Sequence, residues 1–163
     1  MSPIIKYLAG AAVAALLATP AGAQGVLTQK NVSLELARTI ADAALAKCRT
    51  MGFKIAVSVV DRDGLPVLMM YEEGAGLNTR EGSDRKAYTA AAFHAPSADF
   101  AKRMHDRPET AGSIQYTRVL ALGGGLPIKV GNDTIGAVGV SGTPGQDDVC
   151  SQAGIDKVAD QLK

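Results

Sequence analysis

Apolar and polar residues recur along this chain with two different periods, and these periods predict its helices and strands. Between Val32 and Met51 apolar residues return every three or four positions, which is typical of an amphipathic helix. Thr28 is the expected N-cap of this helix, with Leu27 and Val32 placed to form a hydrophobic staple. Gly52 is the expected residue just after its end. We therefore predict a first helix that starts at Thr28 and stops before Gly52.

From residue 53 apolar side chains recur at every second position, and this pattern predicts a hairpin of two strands. Apolar side chains occupy alternate positions over residues 53–60, residues 61–64 have the composition of a turn, and residues 65–71 form a second strand. Pro66 stands near the start of that strand, which indicates a position at the edge of a sheet. The two strands are predicted to pair as an antiparallel hairpin.

The second half of the chain adds helices and three further strands. The pattern predicts helices over residues 79–94 and 98–105, strands over 117–122, 126–130 and 134–141, and a closing helix that begins at Asp147 and Asp148. The turn at residues 131–133 marks a second hairpin. Strands joined by hairpins and flanked by helices favour an α+β fold with an antiparallel sheet.

The first 23 residues are predicted to lie outside the fold. One positive residue, Lys6, precedes an apolar run over residues 8–18, and Ala21-Gly22-Ala23 follows as a cleavage pattern. We expect a signal peptide over residues 1–23, a single domain over residues 24–163, and export to the periplasm or the medium. The alternative is an uncleaved membrane anchor, although the run is shorter than an ordinary transmembrane helix.

The charge of the chain is balanced, which changes the range of expected partners. Lysine and arginine number 17 and acidic residues number 16. Since Lys6 lies in the predicted signal peptide, the mature chain has as many basic as acidic side chains. This balance argues against a nucleic-acid-binding surface and against a polybasic membrane surface.

Cys48 and Cys150 are the two cysteines of the chain. In an exported protein, a disulfide between them is the first expectation. Two buried free thiols are the second interpretation. A reactive Cys150 near a helix start is the third.

Catalytic motifs are missing from the sequence, and the two histidines remain as candidates for metal chemistry. The glycine-rich stretch at residues 123–142 contains no dinucleotide, phosphate-loop or nucleophile-elbow motif. His94 and His105, each near a helix end, could ligate haem iron or simply cap their helices. Arg85 and Lys86 could pair with the carboxylates of a ligand, or form an ordinary charged helix face.

Several sequence blocks together resemble the GlcG/HbpS-like haem-binding family, which is related to the C-terminal domain of PduO-type proteins. These blocks are residues 40–46, 57–66, 85–91, 123–128, 135–142 and 147–155. The resemblance implies a profilin-like α/β/α sandwich with a five-stranded antiparallel sheet, the terminal helices on one face and the middle helices on the other. It also implies homo-oligomers and, in some members, haem binding with a role in haem or redox sensing. Terminal helices on one face would bring Cys48 and Cys150 into the same layer.

Three functions are consistent with these observations. The leading hypothesis is an exported, non-catalytic protein that binds haem, or another small flat ligand, in an apolar crevice at a subunit interface near helix 79–94 and the glycine loop at Gly124 and Gly125. His94 or His105 would ligate the iron, with His94 as the first choice, and Arg85 or Lys86 would face the propionates. The second hypothesis is a cofactor-free module that contacts a membrane sensor or a redox enzyme. The third is a protein or enzyme that binds a small organic acid in a glycine-rich pocket.

Overall fold

The structure, a computed structural model, describes residues 25–163, so the predicted signal peptide lies outside the described residues. Its elements in chain order are α1 (Leu34–Thr50), β1 (Ala56–Asp61), β2 (Pro66–Tyr71), α2 (Thr79–Phe93), α3 (Ser97–Asp106), a 3-10 helix (Pro108–Gln115), β3 (Gly125–Val130), β4 (Asp133–Ser141), α4 (Asp147–Lys157) and a second 3-10 helix (Ala159–Gln161). Within residues 25–163, no helix combines the length and the apolar character needed to cross a membrane.

Within the described residues the sheet has four strands, not the five that we expected. The strand order is β2-β1-β4-β3, and each neighbouring pair is antiparallel. Both predicted hairpins, β1–β2 and β3–β4, are confirmed. The edge position that Pro66 indicated for β2 is also confirmed, since β2 pairs only with β1 among the described strands.

Residues 117–122, the missing fifth strand, are held by side chains of α2 instead of by a neighbouring strand. The Arg85 guanidinium donates a hydrogen bond to the Val119 carbonyl oxygen at 2.8 Å. The Leu120 N–H donates to Thr89 Oγ1 at 2.9 Å. Because these side chains satisfy backbone groups that a ladder would otherwise pair, the segment needs no strand partner.

Helix α1 begins at Leu34, so the predicted N-cap at Thr28 is wrong. Ser33 is the N-cap, and its side chain accepts a hydrogen bond from the Leu36 N–H. The residue before it, Val32, donates its N–H to the Ile135 carbonyl oxygen of β4 at 3.1 Å, which ties the preceding chain to the sheet. The helix end was predicted correctly, because Gly52 follows it with φ of +81°.

The helices cover both faces of the sheet as the resemblance implied. Helices α1 and α4 pack together on one face, and the buried residues of that layer include Ile40, Leu45, Val57, Val138, Val140 and Val158. Helix α2 covers the other face through alanines that meet Val60 and Ala137. Cys48 of α1 and Cys150 of α4 form a disulfide, with Cα atoms 5.7 Å apart, which is the pairing that the sequence favoured.

Two glycines allow α2 to lie directly on the sheet. Gly125 of β3 and Gly139 of β4 are register partners. A Cβ added to Gly139 would lie 2.2 Å from the Ser83 carbonyl oxygen, and one added to Gly125 would lie 2.1 Å from the Lys86 carbonyl oxygen. The helix backbone thus contacts the strand backbone, and this contact fixes the depth of Lys86.

Candidate functional site

A cleft of about 510 Å³ lies where the start of α2, the glycine loop and the start of α4 meet. We call it the Lys86 cleft. The lining residues used below are Asn78, Lys86, Leu122, Ser141, Asp147 and Asp148. It lies near α2 and the glycine loop, and the ligand crevice predicted for this region stays a prediction.

Lys86 lies at the base of the cleft with a buried side chain. Only 1% of the residue is exposed. Its Nζ donates to Asp147 Oδ2 at 2.6 Å and to the Val140 carbonyl oxygen at 3.2 Å. A buried ammonium is costly unless it is paired and hydrogen-bonded, and these two acceptors supply that compensation. The ion pair also links α2 to the start of α4.

The two aspartates at the start of α4 are engaged in hydrogen bonds within the protein. Asp147 Oδ1 accepts from the N–H and the Oγ1 of Thr143, at 2.8 and 3.0 Å. Asp148 Oδ1 accepts from the Gly124 N–H at 2.7 Å. Their place in the first turn of α4 also favours their negative charge. The aspartates therefore fix the loops that form the walls of the cleft.

Two polar side chains of the cleft, those of Ser141 and Asn78, form few or none of their possible hydrogen bonds with residues 25–163. Ser141 is 8% exposed, and its hydroxyl makes no hydrogen bond with any residue in the described range 25–163. Asn78 occupies the N-cap position of α2, but its side chain forms no capping hydrogen bond. Buried polar groups are almost always hydrogen-bonded in native proteins. The hydroxyl of Ser141 is therefore available to a ligand.

The two glycines that we expected to contact a ligand, Gly124 and Gly125, donate their N–H groups to side chains of the protein itself. Gly124 has φ of +119°, and its N–H donates to Asp148. The Gly125 N–H donates to Ser97 Oγ at 2.8 Å. Both glycines are buried, and Gly123 is the member of the triplet that lines the cleft. Their small size brings the backbones together and leaves no free N–H group at these two positions for an anion.

Neither histidine lies among the residues that line the Lys86 cleft. His94 is the exposed C-cap of α2, with φ of +53°, and His105 is exposed in the last turn of α3. Next to His105, the pKa of Asp106 is lowered, chiefly by the hydrogen bond from Lys102. No group of three or more histidine, cysteine, aspartate or glutamate side chains within residues 25–163 is arranged to hold a metal ion.

Arg85 also points away from the cleft. One of its terminal nitrogens forms a salt bridge with Glu81 at 2.8 Å, and the other holds the Val119 carbonyl oxygen. Its Nε is buried without a partner among the described residues. Arg85 thus anchors the segment after α3, and Lys86 is the one of the two predicted cationic residues that reaches the cleft.

Sequence reasoning missed Asn78, Ser141 and Asp147 as members of the site. Ser141 lies in the stretch that was searched only for a nucleophile-elbow motif, and Asp147 was named only as the expected start of the closing helix. A signal for Lys86 was present, because it follows Ser83 by three positions on a helix face made of small residues. A cation on such a packed face indicates a buried partner, but its distance of 61 positions from Asp147 hides the identity of that partner.

Comparisons with known proteins agree with the fold and with the resemblance. A family model described as "Haem degrading protein HbpS-like" matches residues 32–156. An uncharacterized 15.0 kDa protein in the dhaT-dhaS intergenic region of Citrobacter freundii is 32% identical over 130 residues, which cover 77% of this chain and 91% of that protein.

Two solved structures share the architecture. A double mutant of HbpS from Streptomyces reticuli is 31% identical, with a TM-score of 0.76, and the match covers 85% of this chain and 96% of that one. A structure described as a PduOC:heme complex is 23% identical, with a TM-score of 0.71, and the match covers 78% of this chain and 94% of that one. At that lower identity the likeness shows the fold alone.

Proposed function

Because the chain belongs to the HbpS-like family, we propose that it binds haem at the Lys86 cleft. The observation that carries this proposal is the buried ammonium of Lys86 in a cleft that the apolar residues Leu122 and Pro144 also line. That the related PduOC domain has been crystallised with haem supports the choice of ligand.

The lining of the cleft fits a flat apolar ring that carries carboxylates. Leu122 and Pro144 line the cleft, and Leu122 is 53% exposed. Large apolar side chains left in water commonly mark binding surfaces. In the proposed complex Leu122 contacts the ring. Lys86 and Ser141 hold a propionate through a charge-assisted hydrogen bond and a neutral one.

The cleft does not supply the iron ligand that we expected from the sequence. His94 follows Lys86 by eight positions on the same helix, which is about 12 Å along the axis, and it lies outside the cleft lining. We propose that His94 reaches the iron from a second copy of the chain, in the homo-oligomer that the resemblance implies. The haem site would then lie at a subunit interface. Bound haem would supply its iron chemistry, while the chain binds and orients it.

A haemin titration of the purified mature chain, followed by absorbance, tests this function. We expect a saturable Soret shift at low micromolar concentration. In the His94→Ala variant we expect a changed Soret position, whereas His105→Ala serves as the matched control and retains the wild-type spectrum. Absence of a saturable shift would overturn haem binding. An unchanged spectrum for His94→Ala would overturn the proposed ligand and leave the haem site itself in place.

We propose further that the protein is exported, as the pattern of residues 1–23 and the disulfide between Cys48 and Cys150 suggest. Expression of the full chain in a Gram-negative host, followed by fractionation and N-terminal sequencing, tests this. We expect the periplasmic protein to begin at Gln24. Recovery of the intact N-terminus from the cytoplasmic fraction alone would contradict export.

A further inference from the structure

The floor of the Lys86 cleft offers donors of its own, independent of any haem. An ammonium group has three N–H donors, and Lys86 uses two of them, on Asp147 and on the Val140 carbonyl oxygen. The Ser141 hydroxyl, 8% exposed, has no hydrogen-bond partner among the described residues. Lys86 and Ser141 thus each have a donor that no described residue uses, both residues line the same cleft, and a carboxylate accepts two such donors.

The wall of the same cleft offers an acceptor. Asp148 uses its Oδ1 on the Gly124 N–H, and its Oδ2 accepts no hydrogen bond from the described residues. A simple anion would meet repulsion from this oxygen. A ligand that carries a hydrogen-bond donor beside its carboxylate would satisfy the oxygen instead.

The electrostatic balance of the cleft also favours a ligand of this mixed character. Lys86 contributes one positive charge, and Asp147 and Asp148 contribute two negative charges. The N-termini of α2 and α4, helices of 15 and 11 residues, both border the cleft and add partial positive charge. The sum is close to neutral, so the position of donors and acceptors selects the ligand more than net charge does.

We infer that the Lys86 cleft binds a small carboxylic acid with a donor group on the adjacent carbon, such as a 2-hydroxy acid. The carboxylate accepts from Lys86 Nζ and Ser141 Oγ, and the adjacent hydroxyl donates to Asp148 Oδ2. This site shares its floor with the proposed haem site and does not depend on haem.

Calorimetric titration of the haem-free mature chain tests the inference, with glycolate as the probe and acetate and ethylene glycol as controls at matched ionic strength. We expect saturable binding of glycolate, weaker binding of acetate, and none of ethylene glycol. Ser141→Ala should weaken glycolate binding about two- to tenfold, the value of one hydrogen bond. Ser113→Ala, which lies outside the cleft, should leave glycolate binding unchanged.

The titrations test separately whether the cleft binds glycolate and whether Asp148 and Ser141 contact it. Absence of saturable glycolate binding overturns the inference. Equal affinity for acetate and glycolate overturns the role of Asp148, and equal affinity of Ser141→Ala and wild type overturns the role of Ser141. Because the Ser141 hydroxyl has no partner to lose among residues 25–163, its alanine variant should fold, and circular dichroism checks this. A chain that binds haem without glycolate refutes this inference alone, and the reverse result refutes the haem proposal alone.

Discussion

The ion pair between Lys86 and Asp147 predicts an asymmetric response to mutation. Replacement of Asp147 by asparagine keeps the shape of the side chain and removes the only carboxylate bonded to the Lys86 ammonium within the described residues. The ammonium, 1% exposed, would then keep the Val140 carbonyl oxygen and a neutral amide as acceptors. Loss of one partner from a buried pair costs about 3–5 kcal/mol. We therefore expect Asp147→Asn to lower the free energy of unfolding by about 3 kcal/mol or more.

The reverse replacement, Lys86→Met, should cost less. The Asp147 side chain is 12% exposed and keeps two hydrogen bonds from Thr143, so its charge remains partly compensated. We expect a loss of about 1–3 kcal/mol in the free energy of unfolding. The double variant should be more stable than the sum of the two losses predicts, because it removes both charges.

Urea denaturation followed by far-UV circular dichroism measures all four proteins of this cycle. A value for Asp147→Asn within about 1 kcal/mol of wild type would refute the claim that Asp147 compensates a desolvated ammonium. Strictly additive losses would refute the direct pairing of the two side chains.

Two further predictions concern the packing of the layers. Gly139→Ala places a methyl group 2.2 Å from the Ser83 carbonyl oxygen, so we expect a loss of about 3 kcal/mol or more in unfolding free energy. Gly112→Ala is the control, because no atom of the described residues outside its immediate neighbours lies within 4 Å of the added Cβ, and it should lower the unfolding free energy much less. Equal urea midpoints for the two variants would contradict the close contact between α2 and the sheet. Replacement of both Cys48 and Cys150 by alanine should cost about 2–5 kcal/mol, because the disulfide closes a long loop of the unfolded chain. A reductant should destabilise wild type and leave this variant unchanged, and an equal response of both would contradict the disulfide.

Local patterns in the sequence predicted most of the fold, because helices, strands and turns depend largely on residues that are close together in the chain. Sequence patterns located the four α-helices and the four strands of the described residues but neither 3-10 helix, and Gly52 and Pro66 marked a helix end and a sheet edge. The errors arose where distant side chains decide the outcome. Residues 117–122 have the composition of a strand, but Arg85 and Thr89 satisfy their backbone groups. Helix α1 starts later than predicted, because the Val32 N–H donates a hydrogen bond to the Ile135 carbonyl oxygen of β4.

The site was less predictable than the fold. Lys86 was identified as a cation that could meet a carboxylate, yet its neighbour Arg85 was ranked beside it, since sequence does not show which of two adjacent side chains faces the sheet. The cleft depends on the contact between α2 and the start of α4 across 61 positions. Ser141 became a candidate only because its hydroxyl has no partner among the described residues, which is a property of the folded protein.

The central claim is that the Lys86 ammonium holds a carboxylate of haem, and a comparison of haemin affinities tests it most directly. Wild type, Lys86→Met and Lys129→Met would be titrated under one set of conditions, with Lys129 as an exposed lysine away from the cleft. Loss of a hydrogen bond from a charged group, about 1.5–3 kcal/mol, predicts that Lys86→Met binds haemin at least about tenfold more weakly. Lys129→Met should bind as wild type does. Equal affinity of Lys86→Met and wild type, with both proteins folded, would contradict the account.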